Sequence, residues 1–306
     1  MNSTSLSEIK FDLKRTKRAI VAIGCSFVQG SELDVEFDLE TRLKGKIKNQ
    51  RSFVNLLCKK YFENHYTPIN FGREAGGNFG AISRLFLYDI PWGELDEIVL
   101  IFMPTGMQRF DIIRDDVLSH VGNDFKTLWP FLFTPVKDNQ DWINFNKGYE
   151  QTVHSDRFEV LNAILNFQFL NAWIYQYKPK FLIFPAFSTE YNKEYFTKTL
   201  QQGILRASYS EKIKDIKNHF IPTNSFNYSF LIDSVPWDKF ITIDGSRNFF
   251  DLCFKNDKNY HPKLDMQSII DKKLISNNEW IMPRGHPSPK GHDFLAEHLF
   301  RILSKS

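Results

Sequence analysis

A small nucleophilic side chain follows an apolar run near the start of the chain. The stretch AIGCSFVQGSE spans residues 22–32, and Ser26 stands where a buried-strand pattern at 19–25 ends. In α/β proteins, reactive groups commonly lie at the carboxyl ends of strands. A serine hydroxyl is barely ionised near neutral pH, so a neighbouring base must activate it. Ser26 is therefore a candidate nucleophile whose role depends on a base elsewhere in the chain.

The best candidate for that base is His286, in the segment PRGHPSPKGH near the end of the chain. A helix follows it, with Ser288 suited to the N-cap and Pro289 to the first helical position. A helix N-terminus disfavours the imidazolium ion and so favours the neutral, proton-accepting ring. His261 has no capped apolar helix after it and is a weaker candidate base. His292 is expected to cap or pack at the start of the final helix.

The glycines of the opening stretch do not form a phosphate loop. A Walker loop needs Lys and then Ser or Thr after its last glycine, whereas Ser31 and Glu32 follow Gly30. A dinucleotide loop needs the pattern GxGxxG, which GCSFVQG does not match. The nucleophile elbow GxSxG also fails, because Val28 stands in place of its second glycine. A plain turn after a strand is the structural alternative for this stretch.

The overall composition is that of a globular chain with no electrostatic signature of nucleic-acid binding. Of 306 residues, 42% are hydrophobic and 25% charged, and the formal net charge is only +3, with Lys and Arg spread along the sequence. No apolar run approaches the roughly 20 residues of a membrane span. We therefore expect neither nucleic acid nor membrane as a partner.

The three cysteines indicate neither a disulfide framework nor a zinc site. Cys25, Cys58 and Cys253 are odd in number and form no CxxC pair. A basic pair before the apolar run at 19–23 faintly resembles a lipoprotein signal, but the run is shorter than the roughly 7–15 residues of a signal core. We expect no signal peptide, a cytoplasmic location at synthesis, and neither a metal nor a cofactor.

Short apolar strands separated by helical patterns predict an α/β domain with a parallel sheet. After a lead-in at 1–18, we predict one domain over 19–306 with insertions near 107–150 and 187–238. The aromatic side chains of the second insertion are expected to pack rather than to form a ligand platform. The predicted strands cover 19–25, 70–72, 97–103, 180–184 and 240–244, and the predicted helices cover 53–62, 81–88, 160–177 and the segment after 288.

Four segments of the chain together resemble, in order, the sequence blocks of the SGNH (GDSL-type) hydrolases, and they span nearly the whole chain. The blocks are GCSF at 24–27, NFG at 70–72 followed by Gly76, IFMPTGMQRFD at 101–111, and HPSPKGH at 286–292. The GCSF variant, with an arginine after the third block, is similar to divergent members often encoded by bacteriophages.

This resemblance implies a three-layer α/β/α, flavodoxin-like fold with a short parallel sheet. It also implies a serine esterase in which Ser26 is the nucleophile and His286 the base. The oxyanion of the reaction would be bound by the backbone amides of Ser26 and Gly76 and by a side chain near Gln108. The substrate expected from the resemblance is an ester, most naturally an acetyl-like group on a glycan.

Two positions depart from the family pattern. The family has Asp three residues before its histidine, where this chain has Pro283, so Asp244 or Glu279 is the candidate acid to orient His286. A histidine held by a backbone carbonyl, in a Ser-His dyad, is the other interpretation.

The third block has no asparagine, so another group must replace it as an oxyanion donor. Losing one such donor costs about 100-fold or more in rate. The alternative function is therefore a weak or inactive SGNH-fold protein that is structural or binds carbohydrate, in a virion or a homo-oligomer. The candidate replacement donors are Gln108, Thr105, Arg109 and Asn78.

Overall fold

The computed structural model has a parallel β-sheet at its centre. Three of its strands are β1 (Arg18–Gly24), β2 (Thr67–Gly72) and β3 (Glu97–Met103). β1 lies between the other two, and a further parallel strand flanks β3. The structure describes residues 16–30, 33, 51–72, 76–88, 90–107, 109–113, 125–128, 155–202, 228–256, 280–281 and 286–305.

The remaining elements follow in chain order. A single turn of helix, α1 (Ser26–Gln29), follows β1, and α2 (Phe53–Leu56) continues into a π-helical turn at Leu57–Tyr61. The others are α3 (Asn78–Leu87), β4 (Phe110–Ile113), β5 (Phe125–Leu128), α4 (Asp156–Tyr177), β6 (Lys180–Ile183), α5 (Lys193–Gln202), α6 (Ser229–Asp233), α7 (Phe249–Lys255) and α8 (Pro289–Leu303). Short 3-10 turns occur at Trp92–Glu94 and Trp237–Lys239.

The sheet is buried on both faces, which explains the continuous apolar sequence of β1. Alternate side chains of this strand enter two separate core clusters, with Val21 and Ile23 in one and Ile20 and Ala22 in the other. A strand covered on both faces needs apolar residues at every position, because successive side chains point to opposite sides. The helices α3 and α4 pack on the first face, and α2, α7 and α8 pack on the second.

The strand order predicts a crevice at the carboxyl edge of the sheet. The four parallel strands are arranged β2-β1-β3-β6, so the chain moves to opposite sides of β1 to form β2 and then β3. In doubly wound sheets, ligands bind where the direction of winding reverses, here between β1 and β3. Gly24 and Met103 are the last residues of β1 and β3, and they pair with each other. Ser26 and Thr105 each follow two residues later, just beyond the ends of these neighbouring strands.

The structure confirms the mixed α/β class and most of the predicted elements. The strand at 97–103 has the predicted limits, and the helix capped by Ser288 begins at the predicted residue. The predicted strand at 240–244 is wrong, because this segment makes only two isolated bridges, Ile183 with Phe240 and Ile243 with Ser246. Asp244 and Gly245 both have left-handed backbone conformations there, which a strand cannot contain.

The two predicted insertions are only partly described. Within 107–150, β4 and β5 form an antiparallel pair. Within 187–238, the described residues form α5, α6 and one short turn, so this segment is more helical than its irregular aromatic sequence indicates. The domain limits 19–306 stay a prediction.

Candidate active site

Ser26 is the first residue of the single-turn helix α1, immediately after the central strand. Cys25 precedes it in an extended conformation, and the turn ends at Gly30, which has a left-handed φ of 78°. The amide of a first helical residue has no carbonyl acceptor within its own helix, so the Ser26 N–H is suited to bind an anionic oxygen. Ser26 is largely buried at 5% exposure.

Strand β2 supports this turn through the NFG segment. The Asn70 side-chain amide donates to the carbonyl of Val28 at 2.8 Å, and its oxygen accepts from the Gly72 N–H at 2.9 Å. A Cβ atom on Gly72 would lie 2.1 Å from the backbone nitrogen of Gln29, so only glycine lets the turn lie this close to β2. The NFG segment therefore sets the position of Ser26.

The structure brings His286 to Ser26 across 260 positions of sequence. The Nε2 atom of His286 lies 2.9 Å from Ser26 Oγ, within hydrogen-bond distance. For His286 to take the serine proton, Nε2 must be unprotonated and the ring proton must be on Nδ1. The ring also meets the Phe27 ring edge-to-face, with centroids 5.6 Å apart.

The N-terminus of α8 fixes the loop that carries His286. The Ser288 N–H donates to the carbonyl of Trp280 at 2.8 Å, and Ile281 forms a bridge with Pro287. The Ser288 hydroxyl caps α8 by accepting from the N–H of Gly291 at 3.3 Å. Local capping and one short bridge therefore hold the histidine just outside the helix.

His292 stands six residues after His286 and has a different environment. Its side chain is fully buried, and its Nδ1 accepts a hydrogen bond from the Phe53 N–H at 3.1 Å. Burial lowers the pKa of His292 to about 3, and the nearby His286 acts in the same direction. The structure confirms that His292 packs at the start of α8, where it joins this helix to α2.

Asp244 does not orient His286. Its carboxylate lies 3.7 Å from Lys255 Nζ, its side chain is half exposed, and its backbone carbonyl also accepts from Lys255. The ion pair and the left-handed turn direct this side chain to α7. The other candidate acid, Glu279, and the family's aspartate position, Pro283, lie outside the described residues.

Gly76 lies two residues before α3, in the connection that leaves β2, and its assignment to the oxyanion site stays a prediction. Its carbonyl accepts a hydrogen bond from Arg109 Nη1 at 3.2 Å. The Arg109 side chain is buried, and its guanidinium carbon lies 5.1 Å from the centroid of the Phe187 ring. Gln108, the predicted side-chain donor, lies outside the described residues.

The side chain of Asn78 and the backbone of Thr105, two of the alternative oxyanion donors, form hydrogen bonds that hold the loop after β3. The backbone N–H of Thr105 donates to Asn78 Oδ1 at 2.8 Å, and Asn78 Nδ2 donates to the Tyr191 hydroxyl at 2.7 Å. The Tyr191 hydroxyl in turn donates to the carbonyl of Thr105 at 2.6 Å. The Thr105 hydroxyl is buried and has no hydrogen-bond partner among the described residues.

Sequence analysis missed the polar role of Tyr191. Its aromatic neighbourhood predicted packing, and the ring does lie in the core between Phe167 and Phe240. A tyrosine within an aromatic segment gives no sign of where its hydroxyl will point. Only the folded chain places this hydroxyl beside Asn78 and Thr105.

The described part of the chain contains no group of three or more His, Cys, Asp or Glu side chains placed to hold a metal ion. None of the described helices combines the length and apolarity needed to cross a bilayer.

Comparisons with protein-family models, with curated proteins and with solved structures find no significant match to this chain. Two observations on this chain bear on its function: the Ser26–His286 pair and the four segments that resemble the SGNH blocks.

Proposed function

We propose that this chain is a serine ester hydrolase with an SGNH-type, flavodoxin-like α/β/α fold. The observation that carries the proposal is the 2.9 Å contact between Ser26 Oγ and His286 Nε2 at the carboxyl edge of the parallel sheet. A nucleophile within hydrogen-bond reach of a base, each held by a separate element, is the arrangement that acyl transfer requires.

The reaction begins when Ser26 Oγ attacks the ester carbonyl carbon and His286 Nε2 takes the hydroxyl proton. The resulting oxyanion is bound by the amides of Ser26 and Gly76. The carbon–oxygen bond to the alcohol then breaks, and His286 returns its proton to the leaving alcohol. Water then attacks the acyl carbon while His286 Nε2 accepts one of its protons. The bond from the acyl carbon to Ser26 Oγ breaks, His286 returns that proton to Oγ, and the carboxylic acid is released.

Aromatic side chains lie beside Ser26. The Phe27 and Phe187 rings meet edge-to-face with centroids 5.6 Å apart, and Phe27 also contacts the His286 ring. This apolar corner suits the acyl part of an ester, and the resemblance implies that the acyl group is a short one such as acetyl. A glycan carrying acetyl esters is the substrate class we propose.

The proposal is tested with a short-chain aryl acetate and a serine-reactive phosphonate. We expect turnover of the acetate and covalent labelling of Ser26, both abolished in Ser26→Ala. His286→Gln should lower kcat/KM by about 1000-fold or more, because the serine then lacks its base. His298→Gln changes a histidine within α8, away from Ser26, in the same way; it is the matched control and should leave the rate within twofold of wild type.

Failure of wild-type protein to turn over any short-chain ester or to be labelled at Ser26 would refute the enzymatic proposal. That result would favour a structural or carbohydrate-binding protein instead. An active Ser26→Ala variant would equally exclude Ser26 as the nucleophile.

A further inference from the structure

One closed hydrogen-bond network joins the loops that border the Ser26 crevice. It consists of three hydrogen bonds between Asn78, Thr105 and Tyr191, with lengths of 2.6 to 2.8 Å. Asn78 uses both ends of its carboxamide, and the backbone of Thr105 uses both its N–H and its C=O. We call this arrangement the Asn78–Thr105–Tyr191 network.

The network is protected from water, so its hydrogen bonds are strong and hard to replace. Tyr191 is 6% exposed, Asn78 is 3% exposed and Thr105 is 1% exposed. Burial raises the pKa of Tyr191 well above its usual range, so the phenol keeps its proton and remains a donor. A buried polar group that loses its partner cannot form a replacement hydrogen bond with water, so each member of the network depends on the other two.

The three residues come from three different strand connections. Asn78 begins α3, two positions after Gly76, in the connection that leaves β2. Thr105 is two positions after β3, level with Ser26, and Tyr191 lies in the connection after β6. The network thus connects the loop of the proposed oxyanion glycine to the loop that faces Ser26 across the crevice.

A backbone connection supplements these side-chain bonds. The N–H of Ala186 donates to the carbonyl of Pro104 at 2.9 Å, which pairs the connection after β6 with the loop after β3. Arg109 also donates to the carbonyl of Gly76 at 3.2 Å. The Gly76 segment is therefore joined to the residues after β3 by Arg109 and by the Asn78 bond to the Thr105 N–H.

We propose that Tyr191 and Asn78 are positioning residues for catalysis, which hold the Gly76 and Thr105 loops in register with Ser26. This inference rests on the proposed esterase function and adds residues that act through others. Neither residue needs to touch the substrate. Their effect is on how well the oxyanion donors are placed when charge develops in the transition state.

The decisive variant is Tyr191→Phe, which removes the hydroxyl and keeps the ring. With the aryl acetate, we expect kcat to fall about 10-fold or more while KM stays within about twofold, because a misplaced oxyanion donor weakens binding of the transition state and not of the substrate. Tyr195→Phe is the matched control, since it removes a hydroxyl four residues away outside the network, and its kcat should stay within twofold of wild type.

Asn78→Ala provides a second route to the same network if Tyr191→Phe folds poorly. The combined variant should be no more than about twofold slower than the slower single variant, because residues that act as one unit have non-additive effects. Multiplicative effects of the two changes would indicate independent roles and would overturn the proposal.

Hydrogen exchange tests the positioning without relying on activity. We expect peptides covering 104–107 and 76–81 to exchange at least about 10-fold faster in Tyr191→Phe and Asn78→Ala than in wild type or Tyr195→Phe, while β1 keeps its protection. Unchanged exchange in both loops, or an unchanged kcat in both variants, refutes the inference. If wild-type protein neither turns over esters nor is labelled, the proposed function fails, and with it the catalytic part of this inference. Exchange then still decides whether the network holds the loops.

Discussion

Two histidines in the segment HPSPKGH have different surroundings. His286 lies partly exposed beside Ser26, whereas His292 is fully buried between Phe53 and Phe249. Burial disfavours the charged form of an imidazole, so His292 stays neutral. Residue type and spacing mark both histidines, and only their surroundings separate the proposed base from the packing residue.

The burial of His292 makes the stability of the protein depend on pH. The pKa of His292 is about 3 in the folded chain, below the roughly 6.5 of an unfolded histidine. The unfolded state therefore takes up a proton as pH falls below about 6.5, while the folded state does not. The free energy of unfolding should fall by up to about 1.4 kcal/mol per pH unit between pH 6 and 4 from this residue, as measured by urea unfolding.

The variant His292→Gln isolates this contribution. Glutamine can still accept the hydrogen bond from the Phe53 N–H but does not titrate, so the pH slope should become shallower by nearly that amount. His298→Gln should keep the wild-type slope. Equal slopes in wild type and His292→Gln would show that His292 is not the group responsible.

At the level of elements, the position of Ser26, the proposed nucleophile, depends on how closely α1 approaches β2. Gly72 allows this approach, because a Cβ atom there would overlap the backbone of Gln29 and Val28. Moving the α1 backbone away from β2 would also break the hydrogen bond from the Asn70 side chain to the carbonyl of Val28. The position of Ser26 is thus set by a strand that carries no reacting group.

We expect Gly72→Ala to lower the free energy of unfolding by about 1–3 kcal/mol or more through overpacking. It should also slow phosphonate labelling of Ser26, because α1 must move away from β2. Gly93→Ala is the matched control, since a Cβ atom on Gly93 meets nothing within 4 Å. Urea unfolding and labelling rates check both variants, and wild-type values for Gly72→Ala would contradict the role given to this glycine.

At the level of the whole molecule, one core layer contains all three thiols. Cys25, Cys58 and Cys253 lie in the apolar cluster between the sheet and the helices α2, α7 and α8. Burial raises the pKa of Cys58 and of Cys253 well above the usual range of a thiol. The reactive thiolate is therefore suppressed as long as this layer stays packed.

We expect the native protein to resist labelling by a thiol reagent such as iodoacetamide, and the unfolded protein to take up three labels per chain. Labelling across a urea series, read by mass spectrometry, should follow the same transition as tryptophan fluorescence. Rapid labelling of any one thiol under native conditions would show that this core layer opens locally.

The sequence by itself determined most of the local elements and indicated the two residues that we propose to react. Apolar runs define β1 and β3 because a strand buried on both faces needs no other information, and Ser288 with Pro289 defines the start of α8 because capping is local. Ser26 and His286 were each selected from a local position, after a strand and before a capped helix. Their pairing rested in addition on the order of the four segments that resemble the SGNH blocks.

Only the tertiary structure decided which distant groups meet. It placed Asp244 with Lys255 in a turn where a strand was expected, and it made Tyr191 a hydrogen-bonding partner of Asn78. Such pairings depend on how strand connections far apart in sequence pack against each other, and no local pattern encodes the direction of a buried hydroxyl or carboxylate. Local signals therefore mark the proposed nucleophile and base, whereas the groups that hold them in place are set by packing.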